Sequence, residues 1–255
     1  MSSYGLWLSA AGMQVQDHRQ TLLANNLANV ETTGFKQDLA VVSQRRIESR
    51  EQPGEFQFAH PVLDRLPGGV NVHPPHKDFS SGDIEITGRP LDVAIEGPGF
   101  FAVSDGQSTR YTRDGRLTLN RAGDLVLSSG AGRWKTLDSE ASPIRLDEAA
   151  GPLTISSDGT IRQGSATVAT LGVAVADNAQ RMRKAGENTF DAAAAVMTQG
   201  TAHVVPEAVE RSNFDVMGGL AGMIEASRAY EMNARLIQMQ DEASGQLIAR
   251  VAGVA

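Results

Sequence analysis

The ends of this chain carry apolar residues at alternating spacings of four and three, and its middle does not. Near the N-terminus the stripe reads Tyr4, Leu8, Ala11, Val15, His18, Leu22. Near the C-terminus it reads Val216, Leu220, Met223, Ser227, Tyr230, Ala234, Ile237, Asp241, Ser244, Ile248, Val251, with eight of eleven positions apolar. Such a stripe is the seam of a helix that packs against other helices in a coiled-coil manner. Unbroken from Val216 to Val251, the second helix would be about 50 Å long. An isolated helix is marginal in water. Pairing the two ends hides part of each seam, and stripes this long imply packing against copies in other subunits as well.

Between the seams the material changes. Residues 31–82 hold prolines at 53, 61, 67, 74 and 75 and little clear period, which predicts an irregular or extended connector. From about Gly82, short strands alternate with turn signals. LDVAIEG sets Leu91, Val93 and Ile95 against Asp92, Ala94 and Glu96. Asp105-Gly106, Asp114-Gly115, Ala122-Gly123, Ser129-Gly130 and Asp158-Gly159 supply turns, the pattern of an all-β module built from hairpins. The expected fold is therefore mixed α and β, with N- and C-terminal helices forming a coiled-coil-like axial domain and an all-β domain inserted between them. The expected boundaries are 1–35 for the first helix, 36–82 for the connector, 83–208 for the β domain and 209–255 for the second helix.

Charge and composition exclude several classes. A net charge of −7 and no basic cluster argue against nucleic acid, whose binding rests on clustered Lys and Arg. Cysteine is absent, which removes disulfides, thiolate metal sites and cysteine nucleophiles. No cleavable secretory signal is expected, and no apolar run approaches the roughly 20 residues of a membrane span, so no membrane insertion is expected either. His73-Pro74-Pro75-His76, with His60 upstream, lacks the spacing of accompanying carboxylates or thiols that a metal site needs. GPGF at 97–100 reads as a tight turn or bulge, since no helix follows to bind phosphate. Asp105, Asp114 and Asp158 each precede glycine, and read as turn residues rather than acid–base catalysts. No catalytic constellation, cofactor site or metal site is expected.

LLANNLANVETTGFK, residues 22–36, places Asn25, Asn26 and Asn29 within five positions at the end of the first helix. Asparagine is a poor helix former, because its side chain competes for backbone groups. One reading makes these residues solvent-facing caps. The other makes them amides that bond across helices and fix register, the best-attested use of a polar residue at a core position; the seam, continued, reaches Asn25 and Asn29. Asn233 on the second helix suits the same part. Gly34 ends the first helix. Ser212, three residues before Asp215, resembles a capping box for the second, with Asn213 an alternative cap. Gly218, Gly219 and Gly222 weaken the first turns that follow.

Three stretches resemble one family. LWLSAAGMQVQ with LLANNLANVETTGFK resembles the N-terminal signature of bacterial flagellar rod and hook proteins. RPLDVAIEGPGFFAV…YTRDGRLTLNRAGDLVLSSG, 89–130, is similar to the family's central segment, and VERSNFDVMGGLAGMIEASRAYEMNARLIQMQDE, 209–242, to its C-terminal helix. The resemblance implies a non-catalytic structural subunit whose terminal helices pack with neighbouring subunits into a tube, exported uncleaved by the flagellar export apparatus. Its implied partners are copies of itself and other rod and hook proteins. TGRPLDVAI leans toward the proximal-rod member, whereas LANVETTGFK is shared by distal-rod members. On this analogy Asn25, Asn26, Asn29 and Gly34 make the N-terminal subunit contacts, and Ser212, Asn213, Met223, Ile224, Arg228, Tyr230, Glu231 and Asn233 the C-terminal ones, with Arg228 and Glu231 spaced to pair. The seam residues Leu8, Val15, Leu22, Leu220 and Ile237 complete the expected interface. The competing reading is an oligomeric binding module whose β domain recognises a protein partner.

Overall fold

The computed structural model describes residues 2–45, 69–147, 150–193, 195–200 and 203–252. His60 and the prolines at 53, 61 and 67 lie outside them, as do the side chains of Tyr4 and Val251. The chain has an N-terminal helix, a central β region and a C-terminal helix, and its described residues divide into two compact units.

The first unit comprises residues 1–27, 38–76 and 215–255. It holds nearly all of helix α1 (Ser2–Ala28), the strands β1 (Asp38–Gln44) and β2 (Val70–Lys77), and helix α2 (Val216–Ala252). β1 and β2 pair as a two-stranded sheet, so part of the expected connector forms a ladder. His73 lies on β2 and meets the Ser43 hydroxyl of β1 at 2.7 Å, an ordinary contact between strands.

The second unit comprises residues 28–37 and 77–214. Its largest sheet has nine strands among the described residues. β14 (Arg183–Gly186), β15 (Thr189–Asp191), β6 (Thr109–Thr112), β5 (Phe100–Ser104), β9 (Lys135–Thr136), β8 (Leu125–Leu127) and β7 (Leu117–Leu119) run in that order. β13 (Val173–Ala176) joins through β5, and β16 (Met197–Gln199) through β13. Its pairings are antiparallel, as in Phe101 opposite Thr112 and Leu117 opposite Leu127. β10 (Leu153–Ile155), β11 (Thr160–Gln163) and β12 (Ala166–Thr170) form a separate three-stranded sheet. β4 (Val93–Glu96) pairs with β17 (His203–Pro206), and β3 (Ile84–Ile86) with β18 (Ala208–Glu210). Trp134, Phe101, Leu125, Ile144 and Ile161 anchor one continuous apolar core.

One local expectation is corrected here. β4 is not half-exposed: Val93, Ala94 and Ile95 are all buried, and Asp92 is held beneath Arg89 by two 2.8 Å hydrogen bonds. The alternation read as one wet face is a strand covered on both sides. Asp105 and Asp158 are turn residues, Asp105 accepting from the Gln107 and Ser108 amides and Asp158 from Thr160. Asp114 likewise accepts from the amide two residues on, that of Arg116 at 3.1 Å, but it is fully buried and takes the Arg116 guanidinium as well. A side chain on Gly115 would collide with the Val93 carbonyl. That glycine marks a close backbone approach between neighbouring segments.

Candidate assembly surface

Helices α1 and α2 pack antiparallel within the first unit, and glycines set the contact. A methyl group on Gly5 would sit 2.8 Å from the Gln240 amide, and one on Gly12 3.0 Å from Asn233. Leu23 lies 3.4 Å from the corresponding position of Gly222. Positions rise along α1 as they fall along α2, at one constant register. The α1 face turned to α2 is therefore Gly5, Ser9, Gly12, Leu23 and Asn26, with Ser9 and Asn26 both buried. On α2 the buried residues are Gly219 and Ala226.

This corrects the expected α1 seam by one residue, a rotation of about 100°. The contact runs through Gly5, Ser9 and Gly12 rather than Leu8 and Ala11. Small residues let the two axes approach, and the larger apolar side chains turn elsewhere. Leu8 is 40% exposed, and Val15 and Leu22 are half-buried. The inner face is also poorly paired: Gln16 and Gln240 each keep a side-chain oxygen away from water with no donor among the described residues. Contacts of that kind hold a helix pair weakly.

Opposite the α1-facing side, α2 carries an apolar stripe. Met217 is 78% exposed, Leu220 41%, Ile224 57%, Met232 64% and Met239 57%. Exposed Arg228, Glu231 and Arg235 share this side, so the apolar groups gather at Met217, Leu220 and Ile224 and recur singly at Met232 and Met239. Exposed apolar groups gathered in this way mark an interaction surface. Met223, Asn233 and Ile237 are half-buried on the inner side, while Arg228, Tyr230 and Glu231 are exposed. No ion pair joins Arg228 and Glu231 among the described residues; both are exposed, where such a pair gains little over water.

The three asparagines take separate duties. Asn26 is buried and its amide is engaged inside the chain, donating to the Asp38 carbonyl and accepting from the Asp38 amide, both at 2.9 Å. It pins the start of β1. Asn25 is exposed. Asn29 is half-buried, accepts from the Thr32 hydroxyl at 3.2 Å and takes part in the turn that follows α1. Gly34 does not end the helix: α1 stops at Ala28, and Gly34 lies in the turn that follows, with φ +66°, donating its amide to the Glu210 carbonyl at 2.7 Å.

The α2 cap is neither Ser212 nor Asn213. Asp215 caps it, its two carboxylate oxygens accepting from the Met217 and Gly218 amides at 3.1 Å. A side chain on Gly218 would strike that carboxylate, so the glycine makes room for the cap instead of loosening the helix. Ser212 accepts from Phe214. Asn213 works as a staple in the second unit, accepting from the Gln37 amide at 2.9 Å and donating to the Asp78 carbonyl at 2.9 Å.

Beside that staple lies a feature that sequence reasoning missed. The Glu210 carboxylate is fully buried and accepts from Lys36 at 2.6 Å, the Gly82 amide at 2.8 Å and Arg113 at 3.0 Å. Lys36 also donates to the Ser80 carbonyl at 2.6 Å, and Arg113 to the Gly97 carbonyl at 2.7 Å. Burial pushes the Lys36 ammonium below its ordinary value, with Glu210 acting in the opposite direction. No spacing along the chain reveals this cluster, because Lys36 and Glu210 are 174 positions apart.

The flagellar basal-body rod protein FlgF of Caulobacter vibrioides is similar to this chain, with 33% identity over 241 residues spanning 90% of each. The chain belongs to the flagellar basal-body rod protein family. FlgG of Buchnera aphidicola subsp. Schizaphis graminum is 30% identical across 93% of this chain and 95% of its own length. FlgG of Bacillus subtilis is 27% identical across 95% and 97%. Residues 8–36 match the family described as flagella basal body rod protein, 94–163 the flagellar hook protein FlgE/F/G D1 domain, and 205–250 the flagellar basal body rod FlgEFG protein C-terminal region. Lys36, Arg113 and Glu210 fall one in each matched segment. Members of this rod family are structural proteins rather than enzymes.

Proposed function

We propose that the chain is a structural subunit of the flagellar basal-body rod, self-assembling through its terminal helices into a helical axial tube that transmits torque for motility. The observation that carries this reading is the outward apolar stripe of α2, from Met217 through Ile224 to Met239, on a helix whose inner side is already occupied. Residues 1–35 and 209–255 serve as the coiled-coil-like axial elements, 83–208 as the body and 36–82 as the connector. The partners are copies of the chain and other rod and hook proteins. Export through the flagellar apparatus, without a cleaved signal, delivers it to the rod. Within the rod, the lean of TGRPLDVAI supports a proximal position.

Leu220, Ile224 and Tyr230 on α2, with Leu8, Val15 and Leu22 on α1, form the apolar part of the proposed contact. Asn25 and Arg228 supply exposed polar groups to it. Ile224→Glu places a charge on the stripe without touching the α1 contact. The variant should be exported and folded, yet absent from isolated basal bodies, with swimming lost. Normal incorporation of Ile224→Glu would contradict the reading; loss of export would point to the delivery step instead.

A further inference from the structure

The cluster of Lys36, Arg113 and Glu210 joins parts of the chain that are remote in sequence, and all three side chains are at most 3% exposed. Lys36 belongs to the short segment 28–37, Arg113 follows β6, and Glu210 ends β18. Around them the same short segment is tied again: Gly34 to the Glu210 carbonyl, Asn188 to the Thr33 carbonyl at 2.6 Å, and Asn213 to the Gln37 amide. The segment is thus a strap laid into the second unit and fastened at a buried ionic point.

We propose that this cluster is a latch that makes closure of the β body conditional on both ends of the chain. The body as a folded object is then 28–37 together with 77–214, not 83–208 alone. The argument is electrostatic. Two buried cations face one buried carboxylate, and each cation also donates a hydrogen bond to a backbone carbonyl, Lys36 to Ser80 and Arg113 to Gly97. Remove the strap, and Glu210 loses its closest cation while the Ser80 carbonyl keeps only the longer bond from Asn213. Remove the segment carrying Glu210, and Lys36 and Arg113 are left as two like charges sharing one enclosed space. Breaking a buried pair from one side is far costlier than never having built it. Neither half of the latch is therefore tolerable without the other. The nine-stranded sheet has its own apolar core around Trp134 and Leu125, which does not depend on those charges.

The latch goes beyond the rod reading, and its test is independent of assembly. Amide hydrogen exchange is followed on the full-length soluble chain. Lys36→Met should accelerate exchange at residues 33–37 and 80–83 by about 100-fold or more, the scale of a broken buried ion pair. Residues 100–104 and 125–127 should keep their protection. The triple variant Lys36→Met, Arg113→Met, Glu210→Leu removes every charge together and should return the strap to within about tenfold of the parent. If Lys36→Met yields no folded protein, the same comparison is made on Glu210→Gln, which keeps the volume and one acceptor. Unchanged exchange at 33–37 would overturn the proposal. So would opening of the nine-stranded sheet in step with the strap, or a triple variant as open as the single one.

Discussion

The side chain of Asn26 makes a two-way bond with the backbone of Asp38, donating to its carbonyl and accepting from its amide at 2.9 Å each. A side-chain amide carries a donor and an acceptor on separate atoms, so it serves both backbone groups at once. Asn26→Ala removes both of these bonds at a buried place. The expected cost is about 2–4 kcal/mol, from desolvated groups worth about 1–3 kcal/mol each. Exchange protection at Asp38 and through β1 reports it. Asn26→Asp keeps an acceptor for the Asp38 amide but turns an oxygen toward the Asp38 carbonyl, so it should be no milder at neutral pH.

Gly34 and Gly245 should respond oppositely to the same substitution. Gly34 has φ +66°, and a methyl group there runs into the Arg113 backbone, which cannot swing aside. Gly34→Ala should destabilise the second unit by more than about 1 kcal/mol, from the strained backbone alone. Gly245 lies inside α2 with open space around it. Gly245→Ala should strengthen the helix by up to about 1 kcal/mol. Slower exchange at 240–250 in the soluble chain checks the second expectation, and a lower denaturation midpoint the first.

Gly12 meets the far end of the Asn233 side chain, which can move. Gly12→Ala should therefore change helix-pair stability by less than about 1 kcal/mol, gained propensity offsetting a displaced amide. Gly12→Leu is too large for that adjustment and should separate α1 from α2. Faster exchange along α1 with Gly12→Leu, set against near-parental exchange with Gly12→Ala, is the expected contrast.

Asp124 gives the body an acid-sensitive contribution. Hydrogen bonds from Lys135 and Arg145 hold its carboxyl down to about 2. A carboxylate with a lowered value in the folded state contributes stability fully above its unfolded value, and loses it as pH falls through the folded one. Lys135 is 39% and Arg145 69% exposed, so water screens the pairs and the contribution is no more than about 1 kcal/mol. The difference in thermal midpoint between the parent and Asp124→Asn should be steady from pH 7 to 5 and shrink toward zero near pH 2.

Long-period features were legible in the sequence, and local inversions were not. The spacing of Val216, Leu220, Met223, Tyr230 and the apolar positions after them showed a helix running from Val216, because 3.6-residue periodicity survives over many turns. Gly34 was legible because few residues tolerate a left-handed turn. The α1 face that meets α2 lies one position from Leu8 and Val15, and its residues Gly5, Ser9 and Gly12 signal a close helix contact only by their size. Asn213 was mistaken for a cap because its sequence position suits one; its partners, Gln37 and Asp78, are remote along the chain. The buried charges of Lys36, Arg113 and Glu210 gave no local sign, as each looks like an ordinary surface residue until the fold brings them together.

The most direct test of the assembly account uses the absence of cysteine, which makes any introduced thiol a unique label site. Ile224→Cys and Ala226→Cys are compared by maleimide labelling, in the soluble subunit and in isolated basal bodies. In the soluble subunit, Ile224→Cys should react quickly and Ala226→Cys slowly, because Ile224 is 57% exposed and Ala226 is 1% exposed. In the rod, Ile224→Cys should become as protected as Ala226→Cys. Equal, rapid labelling of Ile224→Cys in both states would mean that the α2 stripe faces solvent in the rod, contradicting its assignment as the assembly surface.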